Sequence, residues 1–333
     1  MKIGSLDLGK HPLLLAPMED VTDLSFRRHC KKYGADLMYT EFIAADALVR
    51  NIDKTLKKMT IDAGERPVGI QIYGHEIAPM VEAARIAEEA GPELIDINYG
   101  CPVKKIAHRG AGAGMLRDIP KMIQMTSEIV KAVKLPVTAK TRLGWDESTK
   151  HIVDVAERLQ DTGISALTIH GRTRAQMYTG EADWTLIGEV RNNPRIKIPI
   201  IGNGDVFSPQ RAKENLDRYG VDALMIGRPS IGRPWIFREI RNYLDTGILL
   251  PPPTIEEQVE MVKQQLTDSV EWLDERRGVL HMRRHLAVTF KGLPNFRPYK
   301  IKLLQTENLI DLLAILDEVA HVFAGLHSSF EAE

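Results

Sequence analysis

Residues 136–144 read PVTAKTRLG, residues 166–171 ALTIHG, residues 198–205 IPIIGNGD and residues 222–228 DALMIGR. Each is a short β-rich run that ends on polar or glycine residues, and stretches of helical periodicity separate them. Strands that are continuously apolar are buried on both faces, as in a parallel sheet. Four further runs precede them: HPLLLAP from His11, DLMYTE from Asp36, PVGIQIYG from Pro67 and LIDINYG from Leu94. Starts at 12, 36, 67, 94, 136, 166, 198 and 222 have a mean spacing of 30 residues, right for one strand, one helix and two loops. Between strands, EIAPMVEAARIAEEAGP opens near Pro79 and closes at Gly91. Eight evenly spaced strands predict an α/β protein built on a (β/α)8 TIM barrel, in preference to a doubly wound sheet.

A barrel of this kind takes about 250 residues, so a chain of 333 leaves room for a second unit. After the eighth strand, RPSIGRPWIFREIRNYLDTG reads as a closing helix, and Pro251, Pro252 and Pro253 break any continuing periodicity. From Thr254 the pattern is purely helical, with Thr254 placed as an N-cap and acids in the first turn. The expected division is a barrel over residues 1–250 and a smaller all-helical domain over residues 254–333.

An apolar fraction of 44% and a charged fraction of 27% lie near globular averages and argue against disorder or a fibrous repeat. The opening MKIGSLDLGKHPLLLAPMED has too short an apolar run before Glu19 for a signal peptide or a membrane span, so the protein is expected in the cytoplasm, away from membranes. Cys30 and Cys101 are far apart and lack metal-ligand spacing, which argues against a disulfide framework and a metal site. Cys30, inside FRRHCKKYG, reads as a small packed hydrophobe. Cys101 differs, because it follows a strand in the loop of INYGCPVKK, where a thiol can meet a substrate. The net charge of −1 gives no sign of a polyanionic partner, but its distribution does. From Arg276 to Lys302 there are eight Lys and Arg residues and no Asp or Glu, a stretch suited to phosphates. Arg283, Arg284 and Lys291 fall within MRRHLAVTFKG, which reads as one helix.

Barrel active sites are built from the carboxyl ends of the strands. Polar residues accumulate there: Met18 after the first strand, Gln71 at the third, Asn98 and Cys101 after the fourth, Lys140 and Arg142 after the fifth, His170 after the sixth, Asn203 after the seventh and Arg228 after the eighth. Polar groups in such places are costly unless partnered, and a shared ligand would satisfy them together. The turns Gly202-Asn203-Gly204-Asp205 and Gly227-Arg228 follow strands seven and eight, where barrels commonly hold a phosphate on backbone N–H groups. Lys140, in an apolar strand, needs a negative partner or a polar ligand; the anionic N1–C2=O region of a reduced flavin and a buried ion pair are the two readings. Gln71 suits the N3–H and O4 edge of a flavin or a satisfied core amide, and His170 a ligand contact or a core histidine. The spacing GxGxG in RGAGAGML, following the Cys101 loop, is not that of a dinucleotide fold.

The runs APMEDVTDLSFR, INYGCPVKK, KTRLGW, IHGRTRAQMYTG, IGNGD and MIGRP, with MRRHLAVTFKGLP in the tail, resemble the tRNA-dihydrouridine synthase family, most closely its bacterial B-type branch. The resemblance implies an FMN-bearing barrel followed by a helical domain that grips tRNA. It implies that Pro17, Met18 and Glu19 line the flavin, that Gln71 and Lys140 contact its ring, and that Asn203, Gly204, Asp205, Gly227 and Arg228 hold its phosphate end. Asn98 and His170 would hold the uracil or the flavin, with Arg142 on the substrate side, and Arg283, Arg284 and Lys291 would meet tRNA. Many relatives have a small residue where this chain has Glu19. The chemistry implied is reduction of FMN by NADPH, then hydride from flavin N5 to uracil C6 with a proton from Cys101 to C5. A flavoenzyme of free pyrimidines shares the barrel but needs no basic helical tail; a tRNA-binding protein with a vestigial flavin would have no use for both Lys140 and Cys101. No protein partner is implied.

Overall fold

The computed structural model describes residues 1–330. An antiparallel hairpin of β1 (Lys2–Ile3) and β2 (Leu6–Asp7) precedes the first barrel strand, β3 (Leu13–Leu15), and drives Ile3 into the barrel interior. The remaining barrel strands are β4 (Met38–Tyr39), β6 (Val68–Tyr73), β7 (Leu94–Tyr99), β8 (Val137–Arg142), β9 (Ala166–His170), β10 (Ile200–Asn203) and β11 (Ala223–Ile226), with a short β5 (Ile43–Ala44) paired to β6. All are parallel, in the order β3-β11-β10-β9-β8-β7-β6-β4. A parallel bridge between Leu14 and Leu37 joins the two ends, with Leu15 N donating to Leu37 O at 3.0 Å and Asp36 N to Leu13 O at 2.8 Å. The chain is therefore a (β/α)8 barrel, and every strand begins within two residues of the position expected from spacing alone.

Helices α1 (Leu24–Lys32), α2 (Ala45–Val49), α3 (Asp53–Lys58), α4 (Ile77–Glu89), α5 (Lys104–Ala107), α6 (Ile119–Ala132), α7 (Ile152–Asp161), α8 (Thr185–Asn192), α9 (Pro209–Tyr219) and α10 (Ile236–Thr246) accompany the strands. Alternation along each strand divides the core in two. Leu13, Leu15, Ile70, Ile95, Ile97, Ala139, Leu167 and Ile169 point outward to the helices. Leu14, Leu37, Tyr39, Leu94, Ala166, Ile201, Ala223 and Met225 fill the interior. One step of the pleat beyond these interior residues, toward the carboxyl ends, the same inner face becomes polar.

After the three prolines come α11 (Ile255–Leu273), α12 (Glu275–Thr289), α13 (Arg297–Gln305) and α14 (Leu309–Val322). Thr254 closes a reciprocal cap on α11: its Oγ1 accepts from Glu257 N at 3.4 Å while Glu257 Oε2 accepts from Thr254 N at 2.8 Å. These helices share a second core of Val259, Val262, Leu266, Met282, Leu286, Phe290, Leu312 and Leu316, and Trp235 belongs to it although it precedes α10. Among the described residues no helix is long and apolar enough to cross a membrane. One expectation is corrected here. Lys291 does not share a helix with Arg283 and Arg284, because α12 ends at Thr289 and Gly292 turns the chain with a φ of 85° against Ser329.

Candidate active site

Strand register sets side by side the polar inner residues that the sequence scatters over more than 130 positions. Gln71 lies opposite Asp96, Asn98 opposite Lys140, Arg142 opposite His170, and His170 opposite Asn203. All point inward because each is an even number of residues from an interior apolar side chain on its own strand or strand pair. Just past β7, Asn98 Oδ1 accepts from the N–H groups of Gly100 at 3.0 Å and Cys101 at 2.9 Å, which shapes the loop that carries the thiol. Residues 110–114 buttress this loop from behind. Ala113 N donates to Cys101 O at 3.1 Å, and a Cβ on Gly112, whose φ is 55°, would lie 3.0 Å from the Cys101 Cβ and O. The glycines of RGAGAGML thus serve close backbone approach. Cys101 is 7% exposed, and burial pushes its thiol pKa up, against the opposing pull of Val103 N–H and Arg142.

The Lys140 ammonium donates to Asn203 Oδ1 at 2.9 Å, and Asn203 Nδ2 donates to Met225 O at 2.8 Å. No carboxylate among the described residues pairs with it within 4.0 Å. Burial, aided by the positive charge of Arg142, brings its pKa down to about 7. Gln71 is fully buried, with Nε2 donating to Asp96 Oδ2 at 2.6 Å and Oε1 accepting from Asn98 Nδ2 at 2.8 Å. Each end of that amide retains one further hydrogen-bonding valence. His170 is ringed by Arg142, Lys140, Arg172 and Arg228, and burial together with these cations holds its pKa well below the ordinary value, so the imidazole is neutral. Arg142 donates to the carbonyls of Gly100, Thr173 and Met177 and finds no carboxylate. The mouth is therefore electropositive, suited to an anionic or electron-rich ligand.

On the β10 side, Gly204 and Asp205 have consecutive positive φ values of 123° and 51°, a backbone shape that turns N–H groups outward as an anion cradle. Among the described residues the N–H groups of Gly204, Asp205 and Gly227 find no acceptor in the chain. The Asp205 carboxylate is engaged by Arg172 at 2.9 and 2.7 Å and by Ala182 N at 2.7 Å, which leaves only its backbone for a phosphate. Arg228 reaches the same carboxylate at 3.4 Å and lies over the Tyr178 ring. Met18 faces Gly227, its sulfur 3.6 Å from where a Cβ would stand, and Pro17 is half-buried beside it.

The Glu19 carboxylate turns toward α3, pairing with Lys58 at 2.5 Å. Glu19, Asp20 and Glu41 cluster closely, but Lys58 and Arg284 supply cations there. Arg284 pairs with Asp20 at 2.8 Å and donates to the carbonyls of Glu19 and Asp20, so it ties α12 to the first barrel loop, while Arg283 pairs with Glu307 at 3.5 Å. Lys291 lies in the exposed turn after α12, apart from this pair. Sequence reasoning passed over Asp96, Arg172 and Tyr178. Asp96 carried the same signal as Lys140, a charge inside an apolar strand; Arg172 and Tyr178 lay in IHGRTRAQMYTG with no spacing to mark them.

A family model described as dihydrouridine synthase (Dus) matches residues 14–324. The chain is 39% identical over 300 residues to tRNA-dihydrouridine synthase B of Pseudomonas aeruginosa, covering 90% of each chain. It is 37% identical over 328 residues to a probable tRNA-dihydrouridine synthase of Rickettsia bellii, covering 98% of each. Among solved structures, a morphinone reductase variant in complex with tetrahydroNAD is similar with a TM-score of 0.54 at 14% identity, over 76% of this chain and 91% of that one. A 2-naphthoyl-CoA reductase complex gives 0.56 at 13%, over 73% and 51%. At these identities the structural likeness concerns the fold alone.

Proposed function

The chain belongs to the dihydrouridine synthase family, and from that membership we propose that it reduces the C5–C6 double bond of uridine in tRNA, using FMN at the barrel mouth and NADPH as reductant. The observation that carries this reading is the convergence of a protonated thiol, an unpaired ammonium and a neutral imidazole on one end of a closed barrel. When bound, the flavin supplies the hydride. Lys140 and the remaining valences of Gln71 offer a cation and an amide to its ring, and the free N–H groups of Gly204, Asp205 and Gly227 fit its phosphate.

The residues of the chain do the rest. Cys101, with its pKa raised by burial, keeps its proton at neutral pH and is the group that donates to uracil C5. Arg142 anchors Gly100 O and the 173–177 loop, so the thiol meets a fixed wall. The uridine must leave its stack to reach this depth, at a cost of a few kcal/mol that is smaller in a tRNA loop. Mass spectrometry of nucleosides from tRNA lacking dihydrouridine, after incubation with the protein and NADPH, tests the proposal. A rise in dihydrouridine supports it, and no rise refutes it.

A further inference from the structure

Asp96 takes no part in the chemistry above, although its carboxylate is 1% exposed in the inner wall of the barrel. It accepts from Thr138 Oγ1 at 2.5 Å and from Gln71 Nε2 at 2.6 Å. An ionised carboxylate only accepts, so it dictates which end of the Gln71 amide faces it. That choice propagates. With Nε2 toward Asp96, Gln71 Oε1 accepts from Asn98 Nδ2 at 2.8 Å, and Asn98 so oriented presents Oδ1 to the N–H groups of Gly100 and Cys101. Inverting any one amide sets donor against donor in a buried place, where an unmade hydrogen bond is costly.

We propose that Asp96 is a positioning residue, which through Gln71 and Asn98 fixes the polarity of a buried relay and thereby holds the Gly100 and Cys101 amides, and the reactive loop, in place. Lys140, across the register from Asn98, favours the ionised carboxyl, although burial raises the Asp96 pKa to about 6. Any effect on turnover rests on the reading of Cys101 as proton donor; the polarity of the relay does not.

The test is residue-resolved amide hydrogen exchange at Gly100 and Cys101 in the full-length, flavin-loaded protein. All variants are made on a Thr138→Val background, so that an amide at position 96 cannot turn its Nδ2 to the Thr138 hydroxyl, which accepts as well as donates. There Asp96→Asn sets a donor against Gln71 Nε2 or leaves one buried with its hydrogen bond unmade, and the exchange of both amides should quicken by about tenfold or more, the equivalent of one hydrogen bond. Adding Asn98→Asp moves the carboxylate to the loop end of the relay. The new amide at position 96 can then donate to Gln71 Oε1, Gln71 Nε2 to the new carboxylate at position 98, and that carboxylate accepts both loop amides. Exchange in the double variant should return to near the rate of the Thr138→Val parent. A single variant too unstable to load flavin beside a stable, protected double variant supports the same conclusion. Exchange in the double variant as fast as in the single, or failure of both to fold, overturns the proposal, because the swap conserves volume and composition and reverses only polarity. Wild-type protein that makes no dihydrouridine would refute the proposed function and leave the exchange result standing.

Discussion

A lysine ammonium in the wall of a barrel has to be held against its own desolvation, and Lys140 has one hydrogen-bond acceptor, the side-chain oxygen of Asn203, with the Asp96 carboxylate acting on it from beyond ion-pair distance. Its pKa of about 7 lies below the unfolded value of about 10.4, so between those two pH values the unfolded chain binds the extra proton. Stability from this residue therefore rises with pH across that window, and the burden is full below it. Lys140→Met should make the flavin-free protein more stable than wild type near neutrality, with the gap closing by about 2 kcal/mol between about pH 7.5 and 9. Denaturant unfolding of both proteins across that range measures it, and a gap independent of pH would mean the ammonium is neutralised by something else. At Cys101 the sign runs the other way. A thiol whose pKa is raised stays protonated to higher pH, so an acid role persists through neutrality and fades only in the alkaline range. Cys101→Ala should keep flavin content and reductant oxidation while cutting uridine reduction by roughly 10²–10⁴-fold. Loss of flavin from this variant would make the thiol a scaffold, and unchanged tRNA turnover would remove it from the chemistry.

At the scale of elements, Thr254→Ala removes the hydroxyl half of the cap that starts α11, leaving the Thr254 N–H to Glu257, and should cost about 1 kcal/mol. Thermal unfolding compared with an exposed Thr→Ala change elsewhere gives the measurement, and equal effects would show the cap to be idle. That cap was legible because N-capping is local chemistry, Thr followed three residues later by Glu. The eight strands were legible for a similar reason, since burial on both faces demands apolar runs and one helix must fit between successive strands. Where a helix stops is less local. MRRHLAVTFKGLP holds Gly292 and Pro294, the usual signals of an end, yet apolar periodicity running through Phe290 masked them. The polar ladder was legible residue by residue, while its connections were not. That Gln71 faces Asp96, or that Arg172 takes up the Asp205 carboxylate, follows from register and loop geometry that no spacing along one strand encodes.

Over the whole molecule the same limit governs charge. The eight cations from Arg276 to Lys302 have no acid among them in sequence, but folding brings acids from elsewhere: Asp274 to Arg277, Glu307 to Arg283, Asp20 to Arg284 and Glu318 to Lys302. Exposed pairs of this kind contribute little stability, yet each lowers the positive potential that a phosphate would meet. Arg276, Arg297 and Lys300 are exposed and have no ion pair of this kind among the described residues. If the helical region meets tRNA, a cation that must first leave a carboxylate releases less net counterion than one that need not. Neutralising Arg276, Arg297 and Lys300 should therefore lower the slope of log affinity against log salt by up to about 2–2.7, at roughly 0.7–0.9 for each phosphate that these cations no longer neutralise. Neutralising Arg283, Arg284 and Lys291 should lower it by less, and Arg284→Ala should in addition free the Glu19–Asp20 loop that it ties to α12. Binding of tRNA to both triple variants over a salt series decides between them. A larger slope change for the Arg283 set would mean that those ion pairs open when RNA binds, and slopes and affinities equal to wild type in both would place the tRNA-binding surface outside residues 276–302.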